Sequence, residues 1–89
     1  MDKLEEVGKV LHYFSRIGVA IIELKAPLSI GDQILVKGPT SDFEQAIESM
    51  QIEHINVNTA KKGDSIGLKV NKLVKPNDIV YKKESPNIM

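Results

Sequence analysis

The strongest constraint on the fold of this chain is an alternation of apolar and polar residues near its middle. Ile66, Leu68 and Val70 alternate with polar or small residues, which is the period-two pattern of a strand with one buried face. The apolar residues of Phe43 to Ile55 change parity halfway along, and one extra residue near Glu48-Ser49 keeps them on one face. Such a bulge bends a strand, as the corner of a small barrel requires. The pattern therefore predicts a closed or nearly closed β-barrel.

Length and composition limit the alternatives. The chain has 89 residues, no cysteine, and twelve basic against twelve acidic residues. We expect a single domain over residues 1–89, with its core at about residues 7–82 and flexible termini. The lack of cysteine excludes disulfides, thiolate metal sites and cysteine nucleophiles. The balanced charge gives no overall electrostatic footprint for nucleic acid.

The amino-terminal segment predicts the location of the protein. Met1 to Val10 is charged where a signal peptide needs an apolar run. No stretch of the sequence approaches the roughly 18 apolar residues of a membrane span. We therefore expect a cytoplasmic protein without membrane contact.

Other segments also have strand patterns, and none of useful length has helical periodicity, so the predicted fold class is all-β. The predicted strands outside the middle of the chain are Val7–Phe14, Ile17–Leu24, Gln33–Lys37 and Ile79–Tyr81. The residues from Met1 to Glu6 form a charged lead that we expect to be frayed.

The second of these strands is a nearly continuous apolar run rich in β-branched residues. Such a run is buried on both faces or covers a partner. In a small isolated barrel one face must look outward, so the run predicts an apolar contact surface. The residues assigned to that surface are Ala20, Ile22 and Leu24.

A short motif recurs three times before a strand. Gly31-Asp32, Gly63-Asp64 and Asn77-Asp78 each combine a residue that tolerates positive φ with an aspartate that can bond the turn backbone. Three copies predict repeated turn geometry, and we do not interpret these aspartates as catalytic.

Charges are unevenly distributed along the chain. Asp42 to Glu53 holds four acids and no lysine or arginine, whereas Lys61 to Lys83 holds seven lysines. Pairing of Glu44, Glu48 and Glu53 with lysines such as Lys69 across the sheet is the expected arrangement. A phosphate-binding patch made by the lysines is the alternative.

Motifs for cofactor and catalytic chemistry are missing. Neither a GxxxxGK[ST] loop nor a GxGxxG motif is present, and Val74 replaces the aspartate of a guanine-reading Asn-Lys-x-Asp tetrad, so we expect no GTP binding. His12 and His54 lack metal-ligand spacing, and a Ser-His-Asp arrangement from Ser15 and His12 has no specific support. We predict a non-enzymatic chain without a cofactor or metal. Tyr13 and its neighbour Phe14 are either core residues or a stacking platform for a base.

Four stretches of the sequence carry a resemblance to a known family. They are Val7–Val10, Leu28–Ile34, Ile47–Ile52 and Ala60–Leu68, the last with the pattern A-x-x-G-D-x-h-G-h. They are similar to domain II of translational GTPases, the barrel that follows the G domain in elongation factor Tu and elongation factor 1-alpha. The resemblance implies a closed six- or seven-stranded antiparallel barrel of the Greek-key type, which in the family contacts aminoacyl-tRNA or ribosomal RNA. Related barrels are appended to collagenase-like peptidases.

Two functional hypotheses follow. The first, implied by the resemblance, is a translation-factor-like module that binds tRNA, ribosomal RNA or a translation-related protein. Its candidate contact residues are His12, Tyr13, Arg16, Gln51 and His54, with Lys61 and Lys62 as phosphate contacts. The alternative is a protein-interaction or oligomerisation module accessory to a larger enzyme, without nucleic-acid binding. Under this alternative, Ile22→Glu should weaken association with a protein partner or with a second copy of the chain, and the monomer should stay folded.

Overall fold

The computed structural model describes residues 3–84 and confirms the all-β class. Within this range the chain forms ten strands and no helix. The strands are β1 (Lys3–Phe14), β2 (Val19–Leu24), β3 (Leu28–Ser29), β4 (Gln33–Lys37), β5 (Asp42–Ala46), β6 (Met50–Ile52), β7 (Ile55–Val57), β8 (Thr59–Ala60), β9 (Ser65–Lys69) and β10 (Ile79–Glu84). Residues 3–84 therefore contain no membrane-spanning helix.

Eight strands form one antiparallel sheet in the order β5-β4-β10-β1-β2-β9-β6-β7, and β3 pairs with β8 separately. The sheet is strongly curled. From β5 to β6 there are six strand spacings, roughly 29 Å in a flat sheet, yet Ala46 and Met50 are four residues apart and at most about 15 Å. The hydrogen-bonded ladder nevertheless leaves β5 and β7 as edges. The closed six- or seven-stranded barrel is therefore not confirmed.

The concave side of the sheet encloses one apolar core. Its fully buried large side chains are Val7, Val10, Ile22, Leu28, Ile34, Val36, Ile47, Met50, Ile66, Leu68, Val74 and Val80. The alternation predicted for β9 is confirmed, because Ile66, Leu68 and Val70 are all buried. The connection near Glu48-Ser49 is a break between β5 and β6 and not the predicted bulge.

The apolar contact surface predicted on β2 has the wrong parity. Ala20 and Ile22 are 0% exposed and Leu24 is 2% exposed, so all three belong to the core. The alternate residues Val19 and Ile21 are half-buried and lie on the other face of the strand. The sheet curls toward the even-numbered side of β2 because those residues meet the core residues of β1 and β9.

Strand β1 contains two register shifts, one against each neighbour. Its pairing with β10 shifts between Glu6 and Gly8, and its pairing with β2 shifts between Val10 and His12. A bulge of this kind moves the following side chains to the opposite face. Val10 is therefore buried, whereas His12 is exposed.

The amino-terminal strand also begins earlier than predicted. The expectation of a frayed lead over residues 1–6 is wrong from Lys3 onward, because Leu4, Glu5 and Glu6 pair with β10. Glu6 accepts a hydrogen bond from Lys25 at 2.6 Å, and this bond together with its Coulomb attraction raises the pKa of Lys25. The predicted flexible carboxyl terminus from Ser85 lies outside the described residues.

The three predicted turns are confirmed in detail. Gly31, Gly63 and Asn77 have φ of 93°, 94° and 77°. In each turn the aspartate side chain accepts a hydrogen bond from the backbone three residues earlier, at 2.8 Å for Asp32, 2.9 Å for Asp64 and 3.0 Å for Asp78. A positive φ at the third residue marks a type II turn, and each of these turns launches a strand.

Only part of the predicted charge pairing is present. Glu44 pairs with Lys83 at 3.2 Å across β4, with both side chains on the outer face. Within residues 3–84, Glu48, Glu53 and Lys69 take part in no ion pair. Exposed pairs such as Glu44–Lys83 contribute roughly 0.2 to 1 kcal/mol.

Candidate functional site

The bulge in β1 builds an apolar surface on the outer face of the sheet. After the shift, His12 lies opposite Ile21 and Phe14 opposite Val19, and directly opposed residues share a face. On the other side of β2, Ile21 lies opposite Gly67 of β9. The His12 and Phe14 rings pack edge to face with centroids 4.4 Å apart. Three neighbouring strands thus present an apolar strip to solvent.

This strip forms a groove, which we call the outer groove, with a volume of about 250 Å³. It is lined by Phe14, Ile17, Val19, Ile21, Gln51, Glu53, His54, Ser65, Ile66 and Gly67. Phe14 is 45% exposed and Ile17 is 60% exposed, so the groove presents two large apolar side chains to solvent. The groove is therefore an apolar floor with a polar rim.

The polar rim is a two-residue turn between β6 and β7. Ile52 pairs with Ile55, so Glu53 and His54 are the two central residues of a tight hairpin. Both have positive φ, 50° and 67°. Hairpins of this type favour Asn-Gly, and a residue other than glycine in this conformation costs about 1 to 2 kcal/mol. Glu53 and His54 therefore occupy strained positions in which asparagine and glycine would cost less free energy. Such strain often marks a functional site.

Strand β9 has an unpaired stretch of backbone beside this turn. Leu24 N–H donates to Asp64 C=O and Val70 N–H donates to Gly18 C=O, so the even-numbered residues of β9 face β2. The odd-numbered residues face β6, where pairing ends at Gly67 opposite Gln51. Among the described residues no backbone group pairs with Ser65 on that side, because β6 has already turned away at Glu53.

Charged residues lie at both ends of the groove. Glu23 lies directly opposite Ser65, on the same face and near the Glu53 turn. Neither carboxylate has an ion-pair partner in the part of the chain that the structure describes. At the other end Lys69 lies opposite Val19, and Arg16 is exposed in the β1–β2 turn. On β1, Lys9 lies directly opposite Glu23, so acidic and basic residues are mixed at the first end, whereas the second end is basic.

The structure brings some of the predicted contact residues together. Gln51 and His54 line the outer groove, and His12 packs against its wall residue Phe14. Gln51 also donates to the Asn56 side chain at 3.1 Å across the hairpin. Arg16 is exposed nearby in the turn that carries Ile17.

Other predicted contact residues lie elsewhere. Tyr13 lies opposite Ala20 and is half-buried against the core, so it is the core residue of the Tyr13–Phe14 pair. Lys61 and Lys62 are exposed in the turn before β9 and do not line the groove.

Several groove residues were missed by the sequence analysis. The predicted strand Ile17–Leu24 includes Ile17, Val19 and Ile21. The contact face predicted for that strand, however, is its buried face. Glu53 was considered only as a pairing partner for lysine. Within residues 3–84 no group of three or more His, Asp or Glu side chains could hold a metal ion.

Sequence comparison finds relatives that are named as proteases. An uncharacterized protease of Methanocaldococcus jannaschii is 46% identical over 77 residues, covering 85% of this chain and 19% of that protein. A collagenase of Porphyromonas gingivalis is 41% identical over 78 residues, covering 85% of this chain and 22% of that protein. The chain therefore spans about a fifth of the length of these curated relatives. No family model matches it.

Structure comparison agrees with the sequence relatives. The crystal structure of the C-terminal domain of a Geobacillus thermoleovorans protein described as a U32 peptidase matches with a TM-score of 0.84 and 25% identity, covering 90% of this chain and 93% of that one. The selenomethionine variant of the same domain matches with a TM-score of 0.82, covering 85% of this chain and 96% of that one.

These findings overturn the assignment to domain II of translational GTPases. The relatives found are named protease and collagenase, and the matching structures are a peptidase C-terminal domain. The translation-factor identity and the RNA binding implied by that resemblance are therefore wrong. That the predicted contact residues bind a partner stays a prediction. In sequence and fold, the chain is similar to a C-terminal domain of U32 peptidases.

Proposed function

We propose that this chain is a non-catalytic, protein-binding module that is accessory to a larger enzyme of the U32 peptidase type. The observation that carries the proposal is the extent of the match: 85% of this chain corresponds to about a fifth of each relative. The separately crystallised C-terminal domain of the Geobacillus thermoleovorans protein matches this chain over almost its full length. In this proposal the remaining four-fifths of such a protein carry the catalytic residues.

The outer groove supports a role in protein contact. Phe14, Ile17 and Ile21 form an apolar surface with a polar rim, which is the anatomy of a protein-binding patch. The concave face of the sheet is occupied by the core, so this function falls to the convex face.

An association experiment in trans tests the proposal. The partner is the Methanocaldococcus jannaschii relative shortened by the 77 residues that match this chain. Sedimentation velocity of the mixture should show a complex of the two proteins. Ile21→Glu should weaken the complex at least about tenfold, because a carboxylate replaces an apolar contact, and tenfold corresponds to about 1.4 kcal/mol.

Leu73→Glu is the matched control, since Leu73 is 57% exposed and lies outside the groove. It should bind as well as the unmodified chain. Failure of the unmodified chain to form any complex would contradict the proposed function, and self-association alone would indicate a homodimer. Equal weakening by Ile21→Glu and Leu73→Glu would show that the groove is not the contact surface.

A further inference from the structure

One end of the outer groove carries positive charge and no acid. Arg16 is exposed in the β1–β2 turn, and Lys69 is exposed at the end of β9. Residues 10–22 and 65–77, which surround these two cations, contain no aspartate or glutamate, although the whole chain has as many acids as bases. We call Arg16 and Lys69 the basic end of the groove.

The two cations of the basic end belong to the same corner of the molecule. Val70 N–H donates to Gly18 C=O at 2.9 Å, so the end of β9 lies against the β1–β2 turn. The Lys69 side chain runs toward this turn, because its Cε lies 4.0 Å from the position of a Cβ built on Gly18. The same turn carries Arg16 and the groove residue Ile17. Positive charge is therefore concentrated beside the apolar groove.

The acids of the neighbouring edge strand are already matched by lysines. Gln45 of β5 bonds the backbone at the end of β9, so β5 runs beside the basic end. Its acid Glu44 pairs with Lys83 at 3.2 Å, and its acid Asp42 lies directly opposite Lys37. Within residues 3–84 neither cation of the basic end takes part in an ion pair. The basic end therefore attracts an acidic ligand.

The acidic rim residue of the groove lies at the opposite end. Glu53 lines the groove together with Ser65, and Ser65 is four residues from Lys69, about 13 Å along β9. Lys9 and Glu23 at that end lie opposite each other and offset each other in charge. An acidic group is attracted to Lys69 and repelled by Glu53, so a bound acidic segment has one preferred direction along the groove.

The cavity of the groove restricts the class of acidic ligand. Its volume of about 250 Å³ is below the roughly 300 to 1,000 Å³ of sites for cofactors and drug-sized ligands. Its floor over Val19, Ile21 and Gly67 is apolar, and Gly67 has no side chain to fill it. A small anion would contact the cations and leave this apolar floor in water. A polypeptide supplies an apolar side chain for the cavity and acidic side chains for the basic end.

We infer that the outer groove binds a segment of a partner polypeptide in which one apolar residue has acidic residues to one side of it. The apolar side chain lies over Ile21 and Gly67, and the acidic side chains contact Lys69 and Arg16. The segment lies on the outer face and not in the ladder, because β2 and β6 already pair with Gly67 on its two sides.

The spacing within the segment follows from β9. Lys69 follows Gly67 by two residues, about 6.6 Å, so the first acid lies two positions from the apolar residue in an extended segment. This inference rests on the proposed protein-binding function and names the chemistry of the partner.

The test is an amide-shift titration of the labelled chain with short peptides at low and at physiological salt. The probes are acetyl-Glu-Ser-Glu-Ser-Leu-Ser-Ser-amide and its reversed sequence, which cover both chain directions. One control peptide has lysine in place of each glutamate, and another has serine in place of leucine. One of the two probes should shift Ile17, Ile21, Gly67 and Lys69, and its binding should weaken as salt rises. Each control should bind at least about tenfold more weakly, a ratio equivalent to about 1.4 kcal/mol.

Charge reversal tests the basic end from the protein side. Arg16→Glu and Lys69→Glu should each weaken binding of the acidic probe at least about tenfold, because an attraction becomes a repulsion. Lys62→Glu is the matched control, since Lys62 is exposed in the turn at the other end of β9 and its replacement changes the net charge equally. This control should bind the probe as tightly as the unmodified chain. The amide spectrum of each variant shows that it remains folded.

Equal binding of the acidic probe and its lysine control, equal weakening by Lys62→Glu, or no binding of either probe would overturn the inference. Binding of the chain to phosphatidylserine vesicles without peptide binding would also overturn it, and would assign the basic end to a membrane surface. The sedimentation experiment separates these failures from a failure of the proposed function. If the complex in trans forms but the peptides do not bind, only the inferred ligand chemistry is wrong. If neither forms, both are wrong.

Discussion

At the scale of single residues, two glycines show how tightly the strands are packed. A Cβ on Gly38 would lie 1.9 Å from the Asp78 carboxylate, which is 1% exposed and accepts hydrogen bonds from Ser41 Oγ and Lys75 N–H. A Cβ on Gly67 would lie 3.6 Å from Val19, an ordinary van der Waals contact. Only the first glycine is required by packing.

We therefore predict that Gly38→Ala lowers the free energy of unfolding by roughly 2 kcal/mol or more, because overpacking displaces a buried, hydrogen-bonded carboxylate. Gly67→Ala should change it by less than about 1 kcal/mol in either direction. Urea unfolding of the two variants measures the difference. Equal values for both would show that the Gly38–Asp78 contact does not constrain the fold.

The two isoleucines of β2 provide a second prediction. Ile22 is fully buried, so Ile22→Glu places an unpaired charge in the core and should unfold the chain, whose total stability is about 5 to 15 kcal/mol. Ile21 lies on the outer face, so Ile21→Glu should leave the fold intact. Circular dichroism separates the outcomes. A folded Ile22→Glu monomer would restore the original assignment of the contact face.

At the scale of elements, the sequence predicts what is decided locally. The turns at Gly31, Gly63 and Asn77 were correct because a tolerant backbone and an adjacent aspartate act within four residues. The strand β4 was also predicted with its observed bounds. The same local turns explain the mistaken family, since Gly-Asp turns that launch strands belong to many β proteins and carry no function.

What the sequence does not predict is decided by pairing between distant segments. The register shifts of β1 depend on its two neighbours, β10 and β2, and they determine that His12 and Phe14 face outward. The strands β3, β7 and β8 have two or three residues, too few for a period to be visible. The contact residues His54 and Gln51 were found as isolated candidates, whereas the groove that joins them requires the fold.

The β6–β7 turn gives a prediction at this scale. Replacing Glu53-His54 by Asn-Gly should raise the free energy of unfolding by about 1 kcal/mol, because both positions require positive φ. Thermal unfolding of the variant measures the change. A less stable variant would show that the turn is not strained.

At the scale of the whole molecule, Gln45 connects one edge of the curled sheet to β9, the third strand from the other edge. Its side chain donates to Lys69 C=O at 2.9 Å and accepts from Asn71 N–H at 2.7 Å, so the edge strand β5 is tied to the end of β9. Gln45 is 6% exposed. Without these bonds the Lys69 C=O and the Asn71 N–H would lose their partner where β5 meets the end of β9.

Gln45→Leu should therefore lower the free energy of unfolding by about 2 to 3 kcal/mol, because it leaves two partly buried backbone groups without partners. Gln51→Leu is the control, since Gln51 bonds only the exposed Asn56 side chain, and should cost less than about 0.5 kcal/mol. Denaturant unfolding measures both. A neutral Gln45→Leu would show that apolar packing alone holds β5 against the end of β9.

The measurement that tests the central claim most directly is an amide-shift titration of the labelled chain with the shortened Methanocaldococcus jannaschii relative. If the module is a protein-binding accessory to a larger enzyme, the shifts should concentrate on the outer groove, at Ile17, Ile21, His54 and Gly67. Residues around the Gly31 and Asn77 turns should not shift. An unchanged spectrum at saturating concentration would contradict the account, and shifts on other surfaces would contradict the assignment of the groove.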